Sequence, residues 1–261
     1  MTGQTIQGAR GARRVVAALM LIAESEAGLS LTEIARLIDI PVSSAHALLR
    51  DLVACGAVTR VDGGRFVAGQ TLIALGARVL GRQDLLRCAV PVMESLAAAL
   101  EEDVYLAVVG NGDHLIYEYR CMGAHSSLAR VQIPLGVPRP LYAGAAGQAY
   151  LASLDVASRT RIVQGLELRA ITPATITDKD RLLEKLAVIE AQGFAETHGE
   201  GIEGVVAVAA AVHQMRPNGS LPTAGAISVS MLTGRFPGRE DMVRSAVKDA
   251  CVRISRCLGA T

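Results

Sequence analysis

LTEIARLIDIPVSSAHALLRDL, residues 31–52, reads as two short amphipathic helices bent around the turn at Asp39, Ile40 and Pro41. Ser30 precedes the stretch and Glu33 follows three positions later. This is the capping-box pattern, in which each side chain satisfies the other residue's free backbone N–H, so a helix is expected from about Leu31 to Ile38. Pro41 cannot continue that helix but suits the beginning of the next one. From there Ala45, Leu48, Leu49, Leu52 and Val53 recur at helical spacing and define a buried stripe. Val42, Ser43, His46, Ala47 and Arg50 then fall mostly on the opposite face, with Ser44 near its edge.

Outward from this stretch, ARRVVAALMLIAE (residues 12–24) places Val15, Leu19 and Ile22 at helical spacing before a stop at Gly28. Downstream, AVTRVDGGRFVAG (residues 57–69) sets β-branched runs on both sides of Asp62, Gly63 and Gly64, a strong hairpin signal. Helix, helix, turn, helix and hairpin make a winged helix-turn-helix. In that fold the outer face of the second helix of the pair enters the major groove, its N-terminal residues nearest the bases. Ser43, Ser44, His46 and Arg50 are therefore candidate DNA contacts, together with Thr32 on the preceding helix. Arg60 and Arg65 bracket the glycine tip, which is expected to place two guanidinium groups together at the end of a wing, within reach of phosphates or a minor groove. A plain helical hairpin with a solvated polar face is the competing reading of residues 31–52 alone.

Charge adds little. The 261-residue chain carries a net +1, divided as +2 over residues 1–80 and −1 over the remainder, so the case for DNA rests on pattern. No apolar run reaches the roughly 18–20 residues of a membrane span. The basic N-terminus leads into an amphipathic pattern and not an export signal, so a cytoplasmic location without membrane partners is expected. Five scattered cysteines with no CxxC argue for reduced thiols. Cys121, His125 and His114 fall short of a metal site, and no metal or cofactor is expected.

QTLIALGARVLG (residues 70–81) has a helical period and reads as a linker helix. This divides the chain into a DNA-binding domain over 1–69, a linker over 70–83 and a second domain over 84–261, with the boundary near Gln83. The second domain begins with a helical pattern from about Leu85 to Leu100. DVYLAVVG and HLIYEYRC then flank the turn Asn111-Gly112-Asp113, and SLARVQIPLG resembles a third strand. Helices are expected within residues 141–154, near 155–164 and near 179–192. Strands GVVAVAAAVH and TAGAISVSML precede a closing helix of about 238–258. The class is α/β in the α+β sense, with a largely antiparallel sheet.

The sequence holds no GxSxG, HExxH or GxxxxGK[ST], and no catalytic residues are expected. Glu200 and Glu203 beside His198 read as a charged turn between strands. A binding cavity is the better candidate. In AISVSM the period of two sends Ile227, Val229 and Met231 to one face and Ser228 and Ser230 to the other, near the small Ala207. AGAAGQA (residues 143–149) supplies side chains too small to fill space and, at a helix start, N–H groups suited to an anionic or carbonyl-bearing ligand. Tight packing of a helix on a sheet would use the same residues, and both readings stand.

LTEIA, then PVSSAH and LL, followed by GAVTR and GRFVAG, resembles the IclR family of bacterial transcription regulators. The resemblance continues through VYLAV, PLYAGAAGQAYLA, TPATITD, QGF, GVVAVAAAV and ISVSM, nearly the whole chain. It implies a winged helix-turn-helix that dimerises, a helical linker, and a C-terminal GAF-like domain that binds a small organic effector. Homodimers or tetramers of such proteins grip double-stranded promoter DNA. Similar proteins often carry basic residues where Val42 and Ala47 stand here. Their effector positions fall on Leu128, Val131, Ala145, Ala146, Thr197, Ala207, Ser228 and Ser230. An acid near Thr197, a Cys at Ala207, a His at Tyr142 and a Lys at Gln148 are usual in the family and absent here, which implies an effector larger or less polar than a small keto acid. The expected function is a ligand-responsive repressor. The alternative is a small-molecule binder or enzyme whose N-terminal domain mediates only protein contacts.

Overall fold

The computed structural model describes residues 4–80 (side chains over 11–76), 84–110, 114–124, 133–215, 220 and 222–260. The chain divides into two compact units, Met1–Gln83 and Asp84–Thr261, each with its own core.

In the first unit, α1 (Gln4–Glu24), β1 (Leu29–Ser30), α2 (Leu31–Leu37) and α3 (Val42–Ala54) lead into the hairpin β2 (Val58–Arg60) and β3 (Arg65–Ala68), and α4 (Gln70–Leu80) follows. The capping box forms: the Glu33 N–H donates to Ser30 Oγ, and the Ser30 N–H donates to the Glu33 carboxylate at 2.8 Å. Those bonds from Ser30 hold the Glu33 carboxyl below its ordinary range. Asp39 reverses the chain in the left-handed region, and Pro41 caps α3. Ile22, Ile34, Leu49, Leu52, Val58 and Phe66 form the core. The two-residue β1 was not expected. It completes a sheet of order β1-β3-β2, and a Cβ on Gly28 beside it would meet the Phe66 carbonyl oxygen at 2.8 Å.

The second unit runs α5 (Asp84–Leu100), β4 (Asp103–Val109), β5 (His114–Cys121), β6 (Arg139–Pro140), α6 (Ala145–Ala152), α7 (Val156–Gly165), α8 (Lys179–Gln192), β7 (Ala195–His198), β8 (Val205–His213), β9 (Thr223–Leu232) and α9 (Glu240–Cys257). The sheet is antiparallel throughout, in the order β6-β5-β4-β9-β8-β7. Helices cover both faces. Ile227, Val229 and Met231 pack with Val206, Val208, Met93, Leu96, Val243 and Val247 on the face of α5 and α9. Tyr105, Ala209 and Ala226 pack with Ala146, Leu151, Leu182 and Leu186 on the face of α6 and α8. Glu102, at the α5–β4 corner, is 2% exposed and accepts two hydrogen bonds from Arg235 at 2.8 Å and one from Arg239 at 3.2 Å. The start of α9 is thereby fixed to the α5–β4 corner.

Three expectations change. β6 and β7 are strands of two and four residues, too short for a periodicity to announce. The turn at 111–113, most of the proposed strand over 127–136, and the boundary at Gln83 lie outside the described residues. The expectation that all five cysteines are reduced is overturned: Cys88 of α5 and Cys257 of α9 form a disulfide across a sequence separation of 169 residues. Spacing rules do not see such a pair, because only the packing of α5 on α9 brings it together. Cys55, Cys121 and Cys251 are free.

Gly147 carries α6 against the Leu141 corner so closely that a Cβ would press into the Leu141 backbone carbonyl, whereas a Cβ on Gly76 of α4 meets nothing within 4 Å. Gly147→Ala is therefore expected to destabilise the protein by about 2–3 kcal/mol through overpacking. Gly76→Ala is expected to stabilise it by about 0.5–1 kcal/mol through helix propensity. Urea unfolding of both variants checks the pair of signs.

Candidate functional site

Two surfaces carry the candidate residues. On α3, Ala45, Leu49 and Leu52 are buried, while Val42, Ser43, Ser44, His46 and Arg50 are exposed on the opposite face. Pro41 caps this helix without a side-chain hydrogen bond, so the Val42 and Ser43 N–H groups of its first turn remain available. Arg50 lies 3.3 Å from Asp51 in a solvent-exposed pair, and Thr32 is exposed with its hydroxyl 3.3 Å from that of Ser30. The wing departs from expectation. Gly63 and Gly64 make the tight tip with φ of 75° and 73°, but alternation along β3 separates the two arginines. Arg60 lies over the Phe66 ring at 6.0 Å. Arg65 turns back, donating to the Ala27 and Gly28 carbonyls at 2.7–3.1 Å and pairing with Glu33 at 3.4 Å. The two guanidinium groups are not together at the tip: Arg65 braces the hairpin against the turn before α2.

In the second unit a cavity opens on the α6 face of the sheet. It is a partly open pocket with an interior volume of about 40 Å³, reaching about 510 Å³ only when the open space at its mouth is counted. Thr197, Ala207 and Ser230 line it from three neighbouring strands, because the register sets Thr197 opposite Ala207 and Ala207 opposite Ser230. Gly144 and Ala145, the uncapped start of α6, line it from above. Leu115, Ile133, Ile171, Ile202 and Val205 make it largely apolar, and Arg139 is the one charged side chain among the described lining residues. Tyr117 is the lining aromatic, 5.3 Å edge-on from Tyr105. Burial pushes the Tyr117 phenol up to about 12, so at neutral pH it stays a neutral donor. Tyr105 in turn accepts from the Ile133 N–H and donates to Asp103, both at 3.4 Å.

The rim beside Gly201 and Ile202 is held by a buried polar network. Gln148 Nε2 donates to Glu200 Oε2 at 2.7 Å and to the Tyr142 carbonyl at 2.8 Å, and Lys185 pairs with the other Glu200 oxygen at 2.5 Å. Thr172 and Thr175 hydroxyls donate to the carbonyls of Gly199 and Glu200, both at 2.7 Å. The Tyr142 hydroxyl is engaged by the Arg169 backbone at 2.9 Å. Glu200 does lie in the turn between β7 and β8, as expected, but it is buried there and anchors the segment that walls the cavity. His198 bonds Glu196 at 2.7 Å. Burial opposes ionisation of Glu196, but the Arg244 and His198 hydrogen bonds outweigh it and hold the carboxyl below its usual range.

Of the expected effector residues, Ala145, Thr197, Ala207 and Ser230 converge on the cavity. Ala146 is buried behind Ala145, and Leu128 and Val131 lie outside the described residues. Ser228 is buried beside the Tyr117 phenol and does not line the cavity. Sequence reasoning missed Tyr117, Arg139, Ile171 and Ile202. Only Tyr117 had a visible signal, its period-two relation to Leu115 on β5. His114 and Cys121 stand at opposite ends of that strand, and no described group of three His, Cys, Asp or Glu side chains forms a metal cluster. No helix among the described residues is long and apolar enough to cross a membrane.

A winged helix-turn-helix joined to a domain with a partly open, mostly apolar pocket defines the class of ligand-responsive DNA-binding regulators. Family models agree: residues 11–62 match the IclR helix-turn-helix domain, and residues 77–256 match the bacterial transcriptional regulator IclR C-terminal domain. The chain belongs to the IclR family of bacterial transcription regulators. It is 31% identical over 258 residues to the HTH-type transcriptional repressor AllR of Salmonella typhimurium, covering 97% of this chain and 91% of that protein. The crystal structure of Thermotoga maritima IclR superposes with a TM-score of 0.79 at 26% identity, covering 95% of this chain and 98% of that one. An IclR homologue from Microbacterium hydrocarbonoxydans, solved in complex with 4-hydroxybenzoate, shares the fold with a TM-score of 0.79 at 22% identity over 96% of this chain and 100% of that one.

Removing the acid from the buried network leaves the Lys185 ammonium and the Gln148 amide without their partner. Glu200→Ala is expected to cost about 2 kcal/mol, below the full penalty for breaking a buried ion pair because Lys185 keeps some solvent contact. Urea unfolding of this variant, beside Glu203→Ala as an exposed control with a change within about 0.5 kcal/mol, checks the assignment.

Proposed function

We propose that this regulator is a cytoplasmic, homo-oligomeric repressor whose affinity for operator DNA is set by a mainly apolar carboxylic acid bound in the cavity of the second unit. One observation carries the reading. The cavity combines a single guanidinium, an uncapped helix start and neutral hydroxyl donors with an apolar wall, which suits one anionic end and a hydrocarbon body. The 4-hydroxybenzoate bound by the Microbacterium homologue has this chemistry, and the named repressor among the relatives supports the direction of control.

Ser43, Ser44, His46 and Arg50, with the free first-turn N–H groups of α3, are the groups offered to DNA. Thr32 and Arg60 support phosphate contact, and Arg65 acts as a strut. Exposed Val16 and Met20 on α1 and Ile73 and Leu75 on α4 suit contact with a second copy, which would present two recognition helices to a two-fold operator. A dimer of dimers fits the same family architecture.

Titration calorimetry of the full-length protein tests the effector class. Benzoate-type acids are expected to bind, and glyoxylate or pyruvate to bind far more weakly. The reverse order would refute the reading. Arg139→Ala is expected to weaken the aromatic acid about tenfold or more, the value of a charge-assisted hydrogen bond. With Tyr117 neutral to about 12, its ionisation should leave effector affinity unchanged between pH 8 and pH 10, the range over which an ordinary phenol begins to repel a carboxylate. On the DNA side, gel shifts with the region upstream of the gene should show Ala47→Arg binding more tightly on all sequences and with a steeper salt dependence. No gain would remove Ala47 from the interface.

A further inference from the structure

Cys88 and Cys257 are the only cysteines among the described residues joined to a second sulfur, and the Cys257 end of that bond reaches solvent. Cys88 lies in the second turn of α5 and is 4% exposed; Cys257 is the exposed last residue of α9; their Cα atoms are 5.8 Å apart. The other cysteines are differently placed. Cys251 donates to the Ala210 carbonyl and is pushed up to about 12 by burial, and burial pushes Cys121 up to about 11. Cys55 is exposed in the other unit. A regulator that works on DNA meets the thiol pools that keep most cysteines reduced, so a bond with one sulfur at the surface is open to exchange.

We propose that Cys88 and Cys257 form a redox-active dithiol–disulfide centre whose oxidant is a hydroperoxide or a low-molecular-weight disulfide, and whose closed form tethers the end of α9 to the start of α5. The accessible Cys257 thiolate attacks the distal peroxide oxygen, breaking the O–O bond, releasing an alcohol or water and leaving a sulfenic acid. Cys88 sulfur then attacks that sulfur, the S–S bond forms, and the hydroxyl leaves as water with the remaining proton. Two thiols lose two electrons in total and the peroxide gains them. With a small disulfide, two successive exchanges give the same bond and two small thiols. A dithiol reductant reverses either route.

The position gives the bond its effect. α5 is the first element of the second unit, so the tether acts where the chain enters that unit. In the reduced form the last turn of α9 keeps its buried Ile254 and Leu258, the Ser255 bond to the His213 N–H at 3.0 Å and the Leu258 carbonyl bond to the Met215 N–H at 3.3 Å. Reduction therefore loosens that end without unfolding it.

Full-length protein is reduced, desalted, and treated with hydrogen peroxide or oxidised glutathione. Thiols are then counted in denaturant and the cross-link is mapped by mass spectrometry. The expected result is five thiols before and three after, with peptides containing Cys88 and Cys257 joined, four in both states for Cys257→Ser, and restoration by dithiothreitol. The closed form should melt at higher temperature and differ from the open form by about fivefold in operator affinity by gel shift. Cys257→Ser should lose both differences, and Cys55→Ser should keep them. Five thiols after oxidation, a cross-link between other cysteines, or a bond that a cytosol-like glutathione buffer cannot open overturns the proposal. Equal operator affinity with the bond mapped overturns its regulatory role. Because the DNA readout rests on the regulator reading, loss of all DNA binding in both forms would count against that reading while the thiol count still decides the centre.

Discussion

β9 is buried along both faces, and the period of two along it sorts the second unit into a structural side and a functional side. Ile227, Val229 and Met231 point into a continuous aliphatic layer against α5 and α9. Such side chains exclude water and fix the strand's register, since a slip of one residue would drive the serines into that layer. Ser228 and Ser230 are consequently forced onto the opposite face, where burying a hydroxyl is costly unless it finds a partner. Ala207 and Ala209 are the cross-strand neighbours of Ser230 and Ser228 on β8, and residues so small cannot close the gap beneath α6. The cavity follows from side chains that the sheet's own register keeps small.

The parts of this arrangement that were legible in the sequence share one property: each is encoded within a few residues. The capping box of Ser30 and Glu33, the glycine tip of the wing and the alternation of AISVSM all act over spans shorter than a turn or two. The parts that escaped depend on distant segments meeting. Arg139 and Ile171 reach the cavity from chain segments with no shared periodicity, and Glu200 finds Lys185 and Gln148 across 15 and 52 positions. The same holds for Cys88 and Cys257. Arg65 failed for a different reason. Its location on the wing was read correctly, but a long side chain chooses among acceptors, and the carbonyl of Gly28 and the carboxylate of Glu33 outcompete solvent.

Electrostatics divide the labour between the two units. The pocket sets one guanidinium, that of the half-buried Arg139, against an apolar wall, where partial exclusion of water strengthens its hold on an anion. The recognition surface is the opposite case: exposed, nearly free of basic side chains, and in a unit with a net charge of only +2 over residues 1–80. Few phosphates are neutralised per copy, so the sequence-independent part of DNA affinity is small and the salt dependence shallow. Affinity must then come from hydrogen bonds of short side chains and backbone N–H groups, which require the helix to approach the groove closely and in one orientation.

That requirement explains why a weakly charged DNA surface suits a ligand-controlled protein. A strongly basic helix holds DNA in many orientations, and a small rotation costs it little. In the proposed mode of recognition, a surface built on Ser43, Ser44 and first-turn N–H groups would lose its contacts if two recognition helices in an oligomer shifted by an ångström or two, because hydrogen bonds weaken steeply with distance and angle. The energy an effector must supply is then modest. A coupling of about 1–3 kcal/mol, equivalent to a roughly 5- to 150-fold change in affinity, lies within the differential binding that one charge-assisted hydrogen bond and an apolar wall provide. A recognition helix poor in basic residues and a pocket with a single guanidinium at its wall are matched parts of the proposed device: the first keeps DNA binding orientation-dependent, and the second supplies enough free energy to change the orientation.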